Sequence, residues 1–158
     1  MGNFNENTRV QVPAALHLCK LGYQYLDEND IIVYDHKTNI LTDVFLRSVK
    51  RINPEVSSEE VSTLYSKVVN MADNADLGRE FYALLSANSG VKLVDFENPD
   101  NNEWHVTTEF TCHNDETDDE FRPDITCFVN GMPLAFIEVK KPNNHEGILA
   151  ERDRINVR

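Results

Sequence analysis

Residues 122–141 read RPDITCFVNGMPLAFIEVKK, and their reading decides the fold. Two runs rich in β-branched and aromatic residues, Asp124 to Val129 and Leu134 to Lys140, flank Asn130-Gly131. Asn-Gly suits the two left-handed positions of a tight turn, so the stretch predicts two antiparallel strands joined as a hairpin. Along the second run, Ala135, Ile137 and Val139 make one face apolar, and Leu134 and Phe136 make the other face apolar too. A strand apolar on both sides expects cover on both sides. This one ends abruptly in Glu138 and Lys140, which suggests a site at the end of the sheet.

The chemistry-bearing residues are Asp124 and, after thirteen intervening residues, Glu138-Val139-Lys140. Phosphodiester hydrolysis needs a divalent cation that neutralises the scissile phosphate and acidifies an attacking water, and hard oxygen ligands hold such a cation. Two carboxylates on neighbouring strands can provide them, and a nearby lysine can orient the water or stabilise the transition state. Glu138 and Lys140 are two apart on a strand and leave the same face. A three-residue loop over residues 130–132 places Asp124 opposite Glu138, and cross-strand partners have Cβ atoms about 5 Å apart. A two-residue loop puts Asp124 opposite Ile137 on the wrong face, so the chemistry requires an odd-length loop or a compensating bulge. The plain alternative is a Glu–Lys ion pair at a strand end, which contributes little stability.

Upstream, the first ninety residues read as helical. Pro13 suits a first helical turn, with Ala14, Leu18 and Leu21 at helical spacing and Gly22 as a stop. A short strand is expected at Ile31 to Tyr34. Thr42 is expected to cap a helix carrying Phe45, Leu46, Val49 and Ile52 inward, ending before Pro54. Ser57 and Glu60 form a capping box ahead of Val61, Leu64, Tyr65 and Val68, and Asp76 can cap a fourth helix that closes near Gly90. From residue 91 the period changes. Val91 to Asp95 reads as a strand, Glu97 to Asn102 as a turn cluster, and Trp104 to Cys112 as an alternating strand. Residues 146–158 look like the start of a helix, as if the natural polypeptide continued.

Composition bounds the rest. With 158 residues, 41% hydrophobic and 27% charged, the chain reads as one ordinary globular domain. No apolar run approaches the roughly 20 residues that cross a bilayer, and no secretory signal opens the chain, so no membrane role and a cytoplasmic location are expected. Cys19, Cys112 and Cys127 show no CxxC spacing, so they read as buried thiols rather than disulfides or zinc ligands. The net charge of −12 speaks at first against a nucleic-acid partner. It is unevenly spread: residues 138–158 net to +1, leaving −13 elsewhere, notably in residues 115–120, which read as a solvated loop.

Pro123-Asp124…Glu138-Val139-Lys140 resembles the PD-(D/E)xK nuclease signature. The longer run RPDITCFVNGMPLAFIEVKKPNNHEGILAERDR, residues 122–154 and about a fifth of the chain, resembles the N-terminal nuclease region of type I restriction enzyme R subunits. The helical first half, including LGYQYL, fits that family more loosely. The resemblance implies an α/β (α+β) fold: a restriction-endonuclease-like core with a mixed, largely antiparallel sheet flanked by helices, truncated at its C-terminus. Residues 1–158 would form one nuclease-domain fragment: helical over 1–90, with the catalytic hairpin inside a sheet over 91–141.

The resemblance further implies Mg²⁺-dependent cleavage of double-stranded DNA, making the chain part of a type I site-specific deoxyribonuclease. Asp124 and Glu138 would bind the metal together with the Val139 backbone carbonyl, and Lys140 would be the catalytic lysine. Lys141 and Arg152 are candidates for phosphate contact. ATP-driven translocation would belong to helicase domains outside this chain, since no GxxxxGK[ST] occurs in it. Methyltransferase and specificity subunits would be partners. Two departures stand out: no Gln follows Lys140, and Gln11 stands near the place where many relatives carry a first-helix acid, with Glu6 as a substitute. A catalytically inactive docking or DNA-contact module, or a different nuclease of the same superfamily, are the alternative readings.

Overall fold

The computed structural model describes residues 10–27, 31, 34–72, 76, 78–87, 90–113 and 120–140. In chain order the elements are α1 (Val12–Lys20), β1 (Gln24–Tyr25), α2 (Thr42–Ile52), α3 (Ser58–Ala72), α4 (Arg79–Leu85), a 3-10 turn (Pro99–Asn101), β2 (Trp104–Thr108), β3 (Cys112–His113), β4 (Glu120–Phe121), β5 (Ile125–Val129) and β6 (Met132–Ile137). The fold is therefore α+β. Its main sheet is mixed, in the order β1-β2-β5-β6, with β3 and β4 forming a separate pair. Strand β1 runs parallel to β2, while β2, β5 and β6 are antiparallel. Parallel neighbours need a long crossover, and the chain carrying α2, α3 and α4 supplies it.

Strand β5 is buried along its whole length, as a central strand of Ile, Thr, Cys, Phe and Val should be. Alternation splits its side chains between two layers. Ile125 and Cys127 join Val106 and Val139 against Ala14, Leu18 and Cys19 of α1. Phe128 faces the other way, into Leu41, Val44, Phe110 and Cys112. The largest apolar cluster lies at the turn end of the hairpin, where Val129 and Met132 meet Phe45 and Val49 of α2 and Val61, Leu64 and Val68 of α3. The two-residue turn is Asn130-Gly131, both left-handed with φ of 49° and 81°. The helix docks directly on it: Leu41 N–H donates to the Gly131 carbonyl at 2.9 Å. A Cβ on residue 131 would lie 2.6 Å from the Leu41 carbonyl oxygen and 2.8 Å from the Phe45 nitrogen.

Several expectations need correction. The early strand is Gln24–Tyr25; Ile31 and Tyr34 lie outside any strand and pack on the Phe128 cluster, and residues 32–33 lie outside the described set. Leu41 holds the N-cap of α2 with no side-chain cap, because Thr42 is already helical and its hydroxyl meets Tyr65 Oη at 3.2 Å. Residues 91–95 form bends, not a strand. Three asparagines replace the ladder there: Asn53 donates to the Lys92 carbonyl and accepts from its N–H, Asn130 donates to the Leu93 carbonyl, and Asn102 donates to the Asp95 carbonyl and accepts from its N–H. The strand from Trp104 breaks at Glu109, whose φ of 59° is left-handed. The last expected helix, residues 146–158, lies outside the described residues.

Strand β6 also departs from the expectation of cover on both sides. Among the described residues it is the sheet edge, and Leu134 and Phe136 are 37% and 47% exposed. Phe136 meets Phe121 at right angles, with 5.5 Å between the ring centroids. No helix among the described residues is long and apolar enough to cross a membrane.

Candidate active site at the open end of the hairpin

The register of the hairpin is what brings the sequence-predicted residues together. Beside the two-residue turn, Val129 pairs with Met132 and Phe128 with Pro133. That pairing, continued, would set Asp124 against Ile137 and aim its carboxylate at the wrong face. A bulge between Cys127 and Phe128 shifts the register, so Cys127 pairs with Ala135, Thr126 with Phe136 and Ile125 with Ile137. Leu134 is the extra residue on β6. Continuing the shifted register by one residue sets Asp124 across from Glu138, the arrangement the chemistry requires.

Beyond the last ladder pair, the strands are joined by a side chain. Val139 N–H donates to Asp124 Oδ2 at 2.8 Å. Lys140 Nζ lies 3.5 Å from Glu138 Oε2, with the two side chains only 27% and 15% exposed. Val139 itself is buried against Ile125 and Val106, which anchors the Glu138–Lys140 segment to the sheet. Asp124, Glu138, Val139 and Lys140 therefore share one corner, and Lys141 and Arg152 lie outside the described residues.

Two residues not assigned from the sequence complete this corner. The side chain of Gln11, at the N-cap of α1, is 2% exposed. Its Nε2 donates to the Asp124 carbonyl at 2.6 Å and to Glu109 Oε1 at 2.9 Å. Glu109, at the end of β2, also donates its N–H to the Asp124 carbonyl at 3.1 Å. Arg122 closes the circuit, with Nε 2.9 Å from the Glu109 carbonyl and 3.2 Å from Glu109 Oε2. A sequence signal for Gln11 existed only in its place, one residue before a helix start. For Glu109 there was none, since glutamate is not a residue type that announces a left-handed turn.

The donor set at the corner is all oxygen: two carboxylates and the Val139 carbonyl, with a carboxylate offering lone pairs beyond the one taken by Val139 N–H. Hard, oxygen-seeking divalent cations take such donors. Among the described residues no three His, Cys, Asp or Glu side chains gather as a metal cage, so the backbone carbonyl and water would complete any coordination shell. A second polar cleft, of about 270 Å³, is lined by Gly22, Gln24, Asp100, Asn102, Glu103, Trp104 and His105. It sits at the opposite end of β2 and contains none of the sequence-predicted residues. There Arg47 and Arg51 grip Glu103 at 2.7 and 3.5 Å. Burial works to raise the Glu103 pKa, but the hydrogen bonds from Arg47 and Ser48 and the two guanidinium charges outweigh it and hold the carboxyl below its ordinary value.

Comparison with known proteins bears on the whole chain. A family model described as "Type I restriction enzyme R protein N terminus" matches residues 3–156. The chain is 31% identical to the putative type I restriction enzyme MjaIXP endonuclease subunit of Methanocaldococcus jannaschii, over 90% of this chain and 16% of that protein. It is 27% identical to the type I restriction enzyme HindI endonuclease subunit of Haemophilus influenzae, over 87% of this chain and 15% of that one. The chain thus spans about a sixth of the length of these curated relatives. No solved structure matches it.

Proposed function

This chain belongs to the family of type I restriction enzyme R protein N termini, and from that premise we propose that it is the DNA-cleaving module of such a subunit, built on a restriction-endonuclease-like core. Asp124, Glu138 and the Val139 carbonyl hold a magnesium ion in this reading. Magnesium bound there supplies charge neutralisation at the scissile phosphate and a more acidic attacking water. Lys140, beside Glu138, orients that water or offsets negative charge as it develops on the phosphoryl oxygens. Glu138 in turn restrains the ammonium by their 3.5 Å pairing. Double-stranded DNA is the substrate, and Lys141 and Arg152 are candidates for its phosphates. ATP-driven translocation falls to helicase domains outside this chain, and target reading to methyltransferase and specificity subunits. A cytoplasmic location accompanies that assignment.

The observation that carries the reading is the Asp124 to Val139 hydrogen bond across the bulged hairpin, which fastens the aspartate to the Glu-Val-Lys segment. The test uses the full-length subunit reconstituted with its methyltransferase and specificity partners, following ATPase and DNA cleavage in the same tubes. Asp124→Ala and Lys140→Ala are expected to keep ATPase activity and lose at least about 100-fold in cleavage. Equal cutting by wild type and variants sinks the assignment and leaves a docking module.

A further inference from the structure

We infer that Gln11 is a positioning residue for the cleavage site: its side-chain amide holds the backbone that carries Asp124. The inference rests on the reading of Asp124 as a metal ligand. Gln11 is 2% exposed at the start of α1, and a buried polar group persists only if it is paired. Both of its described partners, the Asp124 carbonyl and the Glu109 carboxylate, are pure acceptors. That fixes the orientation of the amide, with the nitrogen inward and both its protons donated. A carboxylate at position 11 could make neither bond. The place near which a first-helix acid was expected is therefore filled by a donor, which acts on the ligand-bearing backbone and not on the metal.

The geometry shows what the amide adds. Asp124 lies one residue before β5 and opposite Glu109 in the continued β2–β5 register, so its carbonyl takes a single ladder bond, from Glu109 N–H at 3.1 Å, at the point where both strands end. Gln11 Nε2 adds a second donor to the same carbonyl at 2.6 Å. Glu109 is itself locked, with its backbone left-handed and its side chain between Gln11 and Arg122. The amide thus ties α1, the end of β2 and the start of β5 to a single carbonyl. The Asp124 carboxylate is fastened on its other side by Val139 N–H. Groups that orient a metal ligand commonly matter about 10- to 100-fold in metal affinity.

The test measures Mn²⁺ binding to the full-length subunit without DNA, by paramagnetic titration, beside its thermal midpoint without metal and the Mg²⁺ concentration that half-activates cleavage. Gln11→Glu, nearly isosteric, is expected to weaken Mn²⁺ binding about tenfold or more and to raise the half-activating Mg²⁺ by a similar factor. The double variant Gln11→Glu with Glu109→Gln restores a hydrogen bond between positions 11 and 109 but returns no donor from residue 11 to the Asp124 carbonyl. It is expected to recover thermal stability and to stay defective in metal binding. Recovery of metal binding by the double variant, or wild-type Mn²⁺ affinity in Gln11→Glu, overturns the inference. Asp124→Asn is the companion: undiminished Mn²⁺ binding there removes the metal reading itself and this inference with it. Loss in Asp124→Asn but not in Gln11→Glu removes this inference alone.

Discussion

Asn130 is a structural hub at the turn end of the hairpin, away from the corner that holds Asp124. Its Nδ2 donates to the Leu93 carbonyl and to Asn102 Oδ1, its Oδ1 accepts from Glu103 N–H, and its backbone adopts φ of 49°. Asn130→Ala takes the side-chain donor from the Leu93 carbonyl and the acceptor from Glu103 N–H, leaves Asn102 Oδ1 with Asp95 N–H alone, and gives up asparagine's tolerance of the left-handed turn. A loss of about 3 kcal/mol or more in urea unfolding is expected; a change within experimental error would mean these bonds are replaced by water. At this scale the sequence is most informative about which candidate residues the fold brings together. Asp124, Glu138 and Lys140 could be named from spacing and family likeness, and the structure gathers them. Gln11 and Glu109 could not be assigned, because their part depends on a backbone twist and a contact 98 residues away. Local pattern carries no such information.

Elements were legible where their ends carry their own chemistry. Ser57 and Glu60 cap α3 reciprocally at 3.2 and 2.8 Å, as the capping box requires. Asp76 accepts from Gly78 and Glu80 N–H ahead of α4. The Asn-Gly turn appeared in its place. The misreading of residues 91–95 has a physical cause: an apolar run satisfied by side-chain amides looks, in sequence, like one satisfied by a neighbouring strand. The bulge at Leu134 was anticipated only as a requirement of the chemistry, since no residue type marks it. The turn also yields a test. Gly131→Ala must adopt φ of 81° and push the start of α2 away from contacts at 2.6 and 2.8 Å. A loss of more than about 2 kcal/mol by chemical denaturation is expected; a near-neutral result would show that α2 does not rest on the turn.

At the scale of the whole molecule, several buried or bonded groups among the described residues respond to acid in the same direction. Burial lowers the His105 pKa against the weaker opposing pull of Glu103. Asp35 lies below its ordinary value because hydrogen bonds from Thr38, Tyr65 and Lys37 overcome its burial. Asp95, held by Asn101 and the Asn98 and Glu97 N–H groups, and Glu103 are lowered likewise. A depressed folded-state pKa contributes stability above the unfolded value and loses it as pH falls. Stability is therefore expected to decline gently below about pH 6.5 as His105 begins to favour the unfolded chain, then steeply below about pH 4. Denaturation midpoints followed from pH 8 to 3 check this. His105→Gln should flatten the upper part of the curve alone, and an unchanged profile would dissociate that slope from His105. The two bonds that hold Asp124 close chain segments of very different length. The Asp124–Val139 bond closes a loop of 15 residues, whereas the Gln11–Asp124 bond spans 113. Short loops close at smaller entropic cost and long-range pairings form late. On a refolding chain, the hairpin can draw the aspartate to the Glu-Val-Lys segment well before α1 arrives to hold it, so the part of the corner that assembles last is the one α1 supplies.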